Sequence, residues 1–206
     1  MYVYVYTYMI TFHIQPFFRT CFRKYENIIY LLYEYIETIM KNPLNCNLQV
    51  DFDLMSNQNQ PYEYDAYTII HAWNCNYFPT HATIYICPDG FQSKKHFYFT
   101  MLHELFHALG IMYIPDHNIR WSKLIDQERK IYVGNGSNSK AIYHYSQLMH
   151  QDCDCIPLQV DDDSMTDLHH LTPKIKDVFS SPLHYNISLV TLGLLEDYGY
   201  CINYEI

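Results

Sequence analysis

The chain is short of basic residues: 13 Lys and Arg stand against 22 Asp and Glu, a formal charge of -9. A nucleic-acid partner needs clustered cations to displace phosphate counterions, so that class is excluded. Also missing is any run of about 20 uninterrupted apolar residues, which argues against a membrane span. The opening MYVYVYTYMITFHI is apolar, yet it lacks the basic flank and small-residue cleavage site of a secretory signal, and its Val/Tyr alternation predicts a strand. Seven cysteines, an odd number, do not complete a disulfide framework, which leaves the compartment open between secreted and intracellular. The sequons at Asn135 and Asn186 bear only on a secretory setting. No low-complexity tract or linker interrupts the 206 residues, so a single domain with a substantial core is expected. Oligomeric state is not encoded in any pattern of this kind.

What is present begins with an amphipathic stretch, Tyr25 to Met40, whose Ile28, Ile29, Leu32, Ile36 and Ile39 share one face at helical spacing. Leu48 to Phe52 alternates as a strand, Asn57 to Tyr67 reads as a polar loop, and Ala82 to Cys87 is a second β-rich run closed by Pro88-Asp89-Gly90. Ser93 is the expected N-cap of a helix reaching about Leu109, with Gly110 where a left-handed residue is needed. Further on, Ser122 to Tyr132 and Ala141 to Met149 are candidate helices, Cys153 to Pro182 carries no sustained period, and Ser188 to Tyr198 is a closing helix stopped by Gly199. The expected class is α+β. A twisted mixed sheet and the helix ending at Gly110 fill an N-terminal lobe, about residues 1–112, and a mostly irregular C-terminal lobe, about 113–206, ends in one helix.

Residues 103–110 read HELFHALG. A shuffled chain of this composition contains HExxH about 0.03 times, so chance is a poor explanation. On a helix His103 and His107 lie one turn apart and about 40° round the axis, so both imidazoles can face one ion while Glu104 falls beside them. Two histidines, a third ligand and an open position are what a catalytic zinc requires, with the carboxylate as general base for water. Leu102, Leu105, Phe106 and Leu109 are core residues on any reading. Where a third histidine follows such a glycine by three residues, this chain has Tyr113, and His117 lies too far along, so a longer loop must return the ligand. Glu128, about twenty residues past His107, is an alternative carboxylate ligand, which Gly110 argues against. His150, Cys153 and Cys155 form a minor second metal candidate, outweighed by thiols or a disulfide, and Asp161 to Asp163 reads as a solvated loop.

HELFHALG, followed in order by Tyr132 to Gly134, Ala141 to Tyr143, Ile156 to Leu158, Leu168 to His170, Asp177 to Phe179 and the closing run Ser188 to Tyr200, resembles the leishmanolysin family of zinc metallopeptidases. The resemblance covers the chain from about Ile10 onward, by pattern more than identity in the first third. It implies a metzincin-like catalytic domain holding one catalytic Zn2+ in a cleft between the lobes. It also implies endopeptidase action on a polypeptide substrate, with Glu104 as the catalytic base. The third metal ligand it implies is His169, with His170 at the family's Trp position as runner-up. The strand Thr83 to Cys87 would be the sheet edge that receives an extended peptide. One departure stands out: Phe179 occupies the place of the family's methionine beneath the metal, and no methionine follows Met165. That departure supports the alternative of a catalytically impaired protein of the same fold that works as a protein-binding module.

Overall fold

A computed structural model describes residues 4–6, 10–14, 23–42, 47–55, 65–87, 90–112, 119–159, 170–178 and 185–205. Five strands form the principal sheet: β1 (Tyr4–Tyr6), β2 (Ile10–Ile14), β4 (Leu48–Leu54), β5 (Ala66–Trp73) and β6 (Pro79–Ile86), in the order β1-β2-β4-β6-β5. β2, β4 and β6 run parallel, while β1 and β5 are antiparallel to their neighbours, so the sheet is mixed as expected. The apolar opening is two strands rather than one: Tyr4 to Tyr6 fold back on Thr11 to His13.

Alternation gives the sheet two faces. Ile10, Phe12, Ile14, Val50, Phe52, Ala82, Ile84 and Ile86 are buried on one. On the other, Asp51 accepts from Gln49 and pairs with His13 and His81 at 3.0 and 2.9 Å. Burial alone would raise the Asp51 carboxyl, but these hydrogen bonds outweigh it and hold the group below its ordinary value. Two helices lie in the same lobe: α1 (Glu26–Ile39), which buries the five isoleucine and leucine positions expected of it, and α2 (Lys94–Ala108), which rests on β5 and β6.

β6 was expected at the sheet edge and is interior, flanked by β4 and β5. The outer strand beside α2 is β5, which occupies residues read as the end of a polar loop and the unassigned segment after it. The C-terminal lobe is also more regular than expected. Instead of a helix over Ser122 to Tyr132 there is a four-residue helix α3 (Ile119–Ser122), then a small sheet of β7 (Ile125–Asp126), β8 (Ile131–Tyr132) and β9 (Ile156–Pro157). Lys130 at φ +54 turns the chain back where a helix would have continued. α4 (Lys140–Met149) and α5 (Leu189–Tyr198) pack together, so three α-helices and a short 3-10 turn (Gly136–Asn138) lie among the described residues after 112.

Asp197 of α5 joins that pair. Its carboxylate accepts from Tyr132 Oη at 2.7 Å, the Ser139 hydroxyl, and the Lys140 and Ala141 amides at 2.7 and 3.3 Å. The last two are unsatisfied donors of α4's first turn, where a negative charge also meets the positive end of the helix dipole. The N-terminal and C-terminal parts are joined by β3 (Met40–Asn42) pairing with β10 (Cys201–Ile202), and by Tyr200 Oη donating to the Leu109 carbonyl at 2.8 Å. No helix among the described residues is long and apolar enough to cross a membrane.

Candidate metal centre

α2 is closed at both ends by its own sequence. The Ser93 hydroxyl accepts from the His96 amide at 3.0 Å, relieving one orphan donor of the first turn. At the other end the Gly110 amide donates to the His107 carbonyl at 2.8 Å and the Ile111 amide to Phe106 at 3.2 Å, the paired bonds that a left-handed residue makes available. Gly110 has φ +91, and a Cβ there would meet Tyr198 Oη at 2.5 Å, so both backbone and space require glycine. Leu102, Leu105, Phe106 and Leu109 are all within the core.

The turn after Gly110 also orients a ligand. His107 Nδ1 lies 2.9 Å from the Ile111 carbonyl, and His103 Nδ1 lies 2.8 Å from the Val178 carbonyl. A carbonyl only accepts, so each Nδ1 carries the ring proton and each Nε2 of the neutral ring is left with a lone pair. Those two Nε2 atoms are 3.0 Å apart, and the Nε2 of His170 is 3.3 Å from that of His103. Lone pairs at such separations repel, so the arrangement calls for positive charge among them.

The three ligand atoms of His103, His107 and His170 all lie within 4.8 Å of one another, and the group can hold a metal ion. Zn–N bonds of about 2.0–2.1 Å in a tetrahedron would set ligand nitrogens about 3.3–3.4 Å apart, close to the 3.0 and 3.3 Å that His103 makes with His107 and His170; the third pair lies within 4.8 Å. An all-imidazole donor set suits zinc and other borderline cations better than calcium or magnesium, which favour oxygen.

Among the described residues the third histidine is therefore His170, the runner-up of the sequence reading; His169 and Phe179 lie outside them. His170 arrives beside an isolated β-bridge rather than on a strand. Leu171 bridges Leu158, the Gln159 amide donates to the His170 carbonyl at 2.9 Å, and the Thr172 amide to Pro157 at 3.1 Å. Glu128 is exposed on the turn between β7 and β8, away from the cluster. His150 caps α4 at φ +53, and Cys153 and Cys155 are free thiols, so no second metal group forms there among the described residues. Tyr113, His117 and Asp161 to Asp163 are outside the described residues.

Glu104 stands beside the pair on α2 and is 6% exposed. Burial pushes its carboxyl from the ordinary 4.5 up to about 7, against a smaller lowering by the Thr68 hydroxyl, which donates to Oε2 at 2.7 Å. Asp177, fully buried, does the quieter work of holding Val178. Its Oδ2 accepts from the Ser188 amide and hydroxyl at 3.2 and 2.6 Å and from the Thr191 hydroxyl, while the Val178 amide donates to the Asn186 carbonyl at 2.7 Å.

Sequence reasoning missed Thr68, Val178 and Ile111. Backbone acceptors leave no mark in side-chain identity, whereas Thr68 was findable: Ala66 to Trp73 is rich in β-branched and aromatic residues and is followed by an Asn-Cys-Asn turn signal. No protein-family model matches the chain, and no curated protein matches its sequence. The fold and site together define an α+β protein with a three-histidine cluster, His103 and His107 buried and His170 half-buried, able to hold a metal ion.

Proposed function

We propose that the chain is a zinc-dependent metalloendopeptidase of the leishmanolysin type. The observation that carries this reading is the convergence of three imidazoles, two with Nδ1 protons committed to carbonyls, beside a buried carboxylate on the same helix. His103, His107 and His170 would hold the ion. Bound there, zinc would make a water acidic near neutral pH and polarise the scissile carbonyl.

Glu104 supplies what remains. A buried carboxylate next to a metal-bound water could take a proton from that water as it attacks and return it to the leaving amine. On this reading Glu104, beside His103 on the same helix and outside the three-histidine group, would make both transfers without itself being a ligand. The peptide track is β5, since the exposed edge of a sheet pairs with an extended backbone and β6 has no edge to offer.

The test is Glu104→Gln with metal analysis and digestion of casein. The variant should bind metal as the parent does and lose at least about 100-fold in rate. Parental activity in that variant, or activity indifferent to chelator, would refute the mechanism. A parent that binds zinc and cleaves nothing in a peptide library would favour the protein-binding alternative.

A further inference from the structure

We propose that Thr68 is a positioning residue for Glu104, a role that rests on the peptidase reading above. Thr68 lies on β5, opposite Ile84 of β6, with its side chain turned toward α2 as strand alternation requires when Ala66 and Ile70 are buried. Its hydroxyl reaches the same residue at two points: Oε2 of Glu104 at 2.7 Å and the Glu104 carbonyl at 2.9 Å. The one hydroxyl hydrogen is shared between these two acceptors, so the same group touches both the backbone and the carboxylate end of one glutamate.

The chemistry explains why that grip matters. A glutamate has three rotatable bonds, and a general base must keep its reacting oxygen within hydrogen-bond reach of the proton it takes. With Oε2 held by Thr68, the rotation of the carboxylate is restricted, and Oε1, for which no hydrogen bond is found among the described residues, would be the oxygen left for proton transfer. The contact also crosses between elements. β5 is the outer strand proposed to carry substrate backbone, so the strand that seats the peptide and the base that serves it are one hydrogen bond apart. A core threonine that merely satisfies its hydroxyl would need only the carbonyl; the bond to the carboxylate is the part a structural role leaves unexplained.

The experiment uses the full chain with Thr68→Val, which removes the hydroxyl at nearly constant shape, and Thr68→Ser, which keeps it. With zinc bound, Thr68→Val should lower kcat about 10- to 100-fold with KM within about twofold, and Thr68→Ser should recover most of the rate. Metal affinity, measured by chelator competition, should be the same in all three proteins. Independently of activity, a thermal-unfolding cycle of Thr68→Val and Glu104→Ala on metal-free protein should be non-additive by about 2–4 °C. Parental kcat in Thr68→Val, a Thr68→Ser variant as slow as the valine, or additive shifts in the cycle would each overturn the proposal. An inactive parent would instead sink the peptidase reading, and this role with it, whereas an active parent with an unaffected valine variant sinks this role alone.

Discussion

The two halves of the metal centre are built by different means. His103, Glu104 and His107 ride on one helix whose ends are closed by Ser93 and Gly110, so their mutual placement follows from 3.6 residues per turn. His170 depends on a bridge between Leu158 and Leu171 and on two flanking backbone bonds, at the end of a long excursion. Helical ligands are positioned by local hydrogen bonding and cost no loop closure beyond the helix itself; a loop-borne ligand is only as accurate as the pairing that returns it. The difference teaches where the site is robust and where it can be broken.

The widest effect should come from the returning half. His170→Ala should weaken zinc binding by at least about 100-fold, while His169→Ala should leave it within about threefold, as read by competition with a chromogenic chelator. The opposite ranking would restore His169 as the third ligand. A smaller effect should come from Asp177, which touches no ligand but fixes the acceptor of His103. Asp177→Asn should cost about 10-fold in zinc affinity, with unchanged circular dichroism confirming the fold; parental affinity would show that Val178 is held well enough without it.

The gentlest test concerns the helical half alone and needs no metal. Because burial raises the Glu104 carboxyl to about 7, the folded chain holds a proton there that the unfolded chain has released above about 4.5. The stability linked to this group is present below the unfolded value and is lost as pH rises through the folded one. Metal-free protein should therefore lose stability between roughly pH 4.5 and 7, and Glu104→Gln should flatten that slope in urea titrations. An equal slope in the variant would mean that the carboxylate is already well solvated.

These contrasts also mark what the sequence made legible. Local signals read correctly: the period of α1, the Ser93 cap, the left-handed Gly110, and Ser188 with Gly199 around α5. Each is decided within a few residues. Strand order was not legible, because whether Thr83 lies at an edge depends on β5 pairing with it, and β5 was obscured by the polar run before it. Nor does sequence choose between adjacent histidines, since which of them meets the helical pair is set by the bridge of Leu171 with Leu158, a pairing that side-chain identity does not announce. The carbonyls of Ile111 and Val178, which set both tautomers, belong to residues chosen for packing.

The position of Asp177 between His103's acceptor and the start of α5 has a consequence for how the chain matures during synthesis. Every histidine of the cluster has been made before residue 188, yet the serine and threonine that steady Asp177, and the aspartate that seats α4, come afterwards. A nascent chain halted at that point would own all its ligands and lack the scaffolding that aims them, so the final helix acts as the closing bolt of a centre to which it donates no atom.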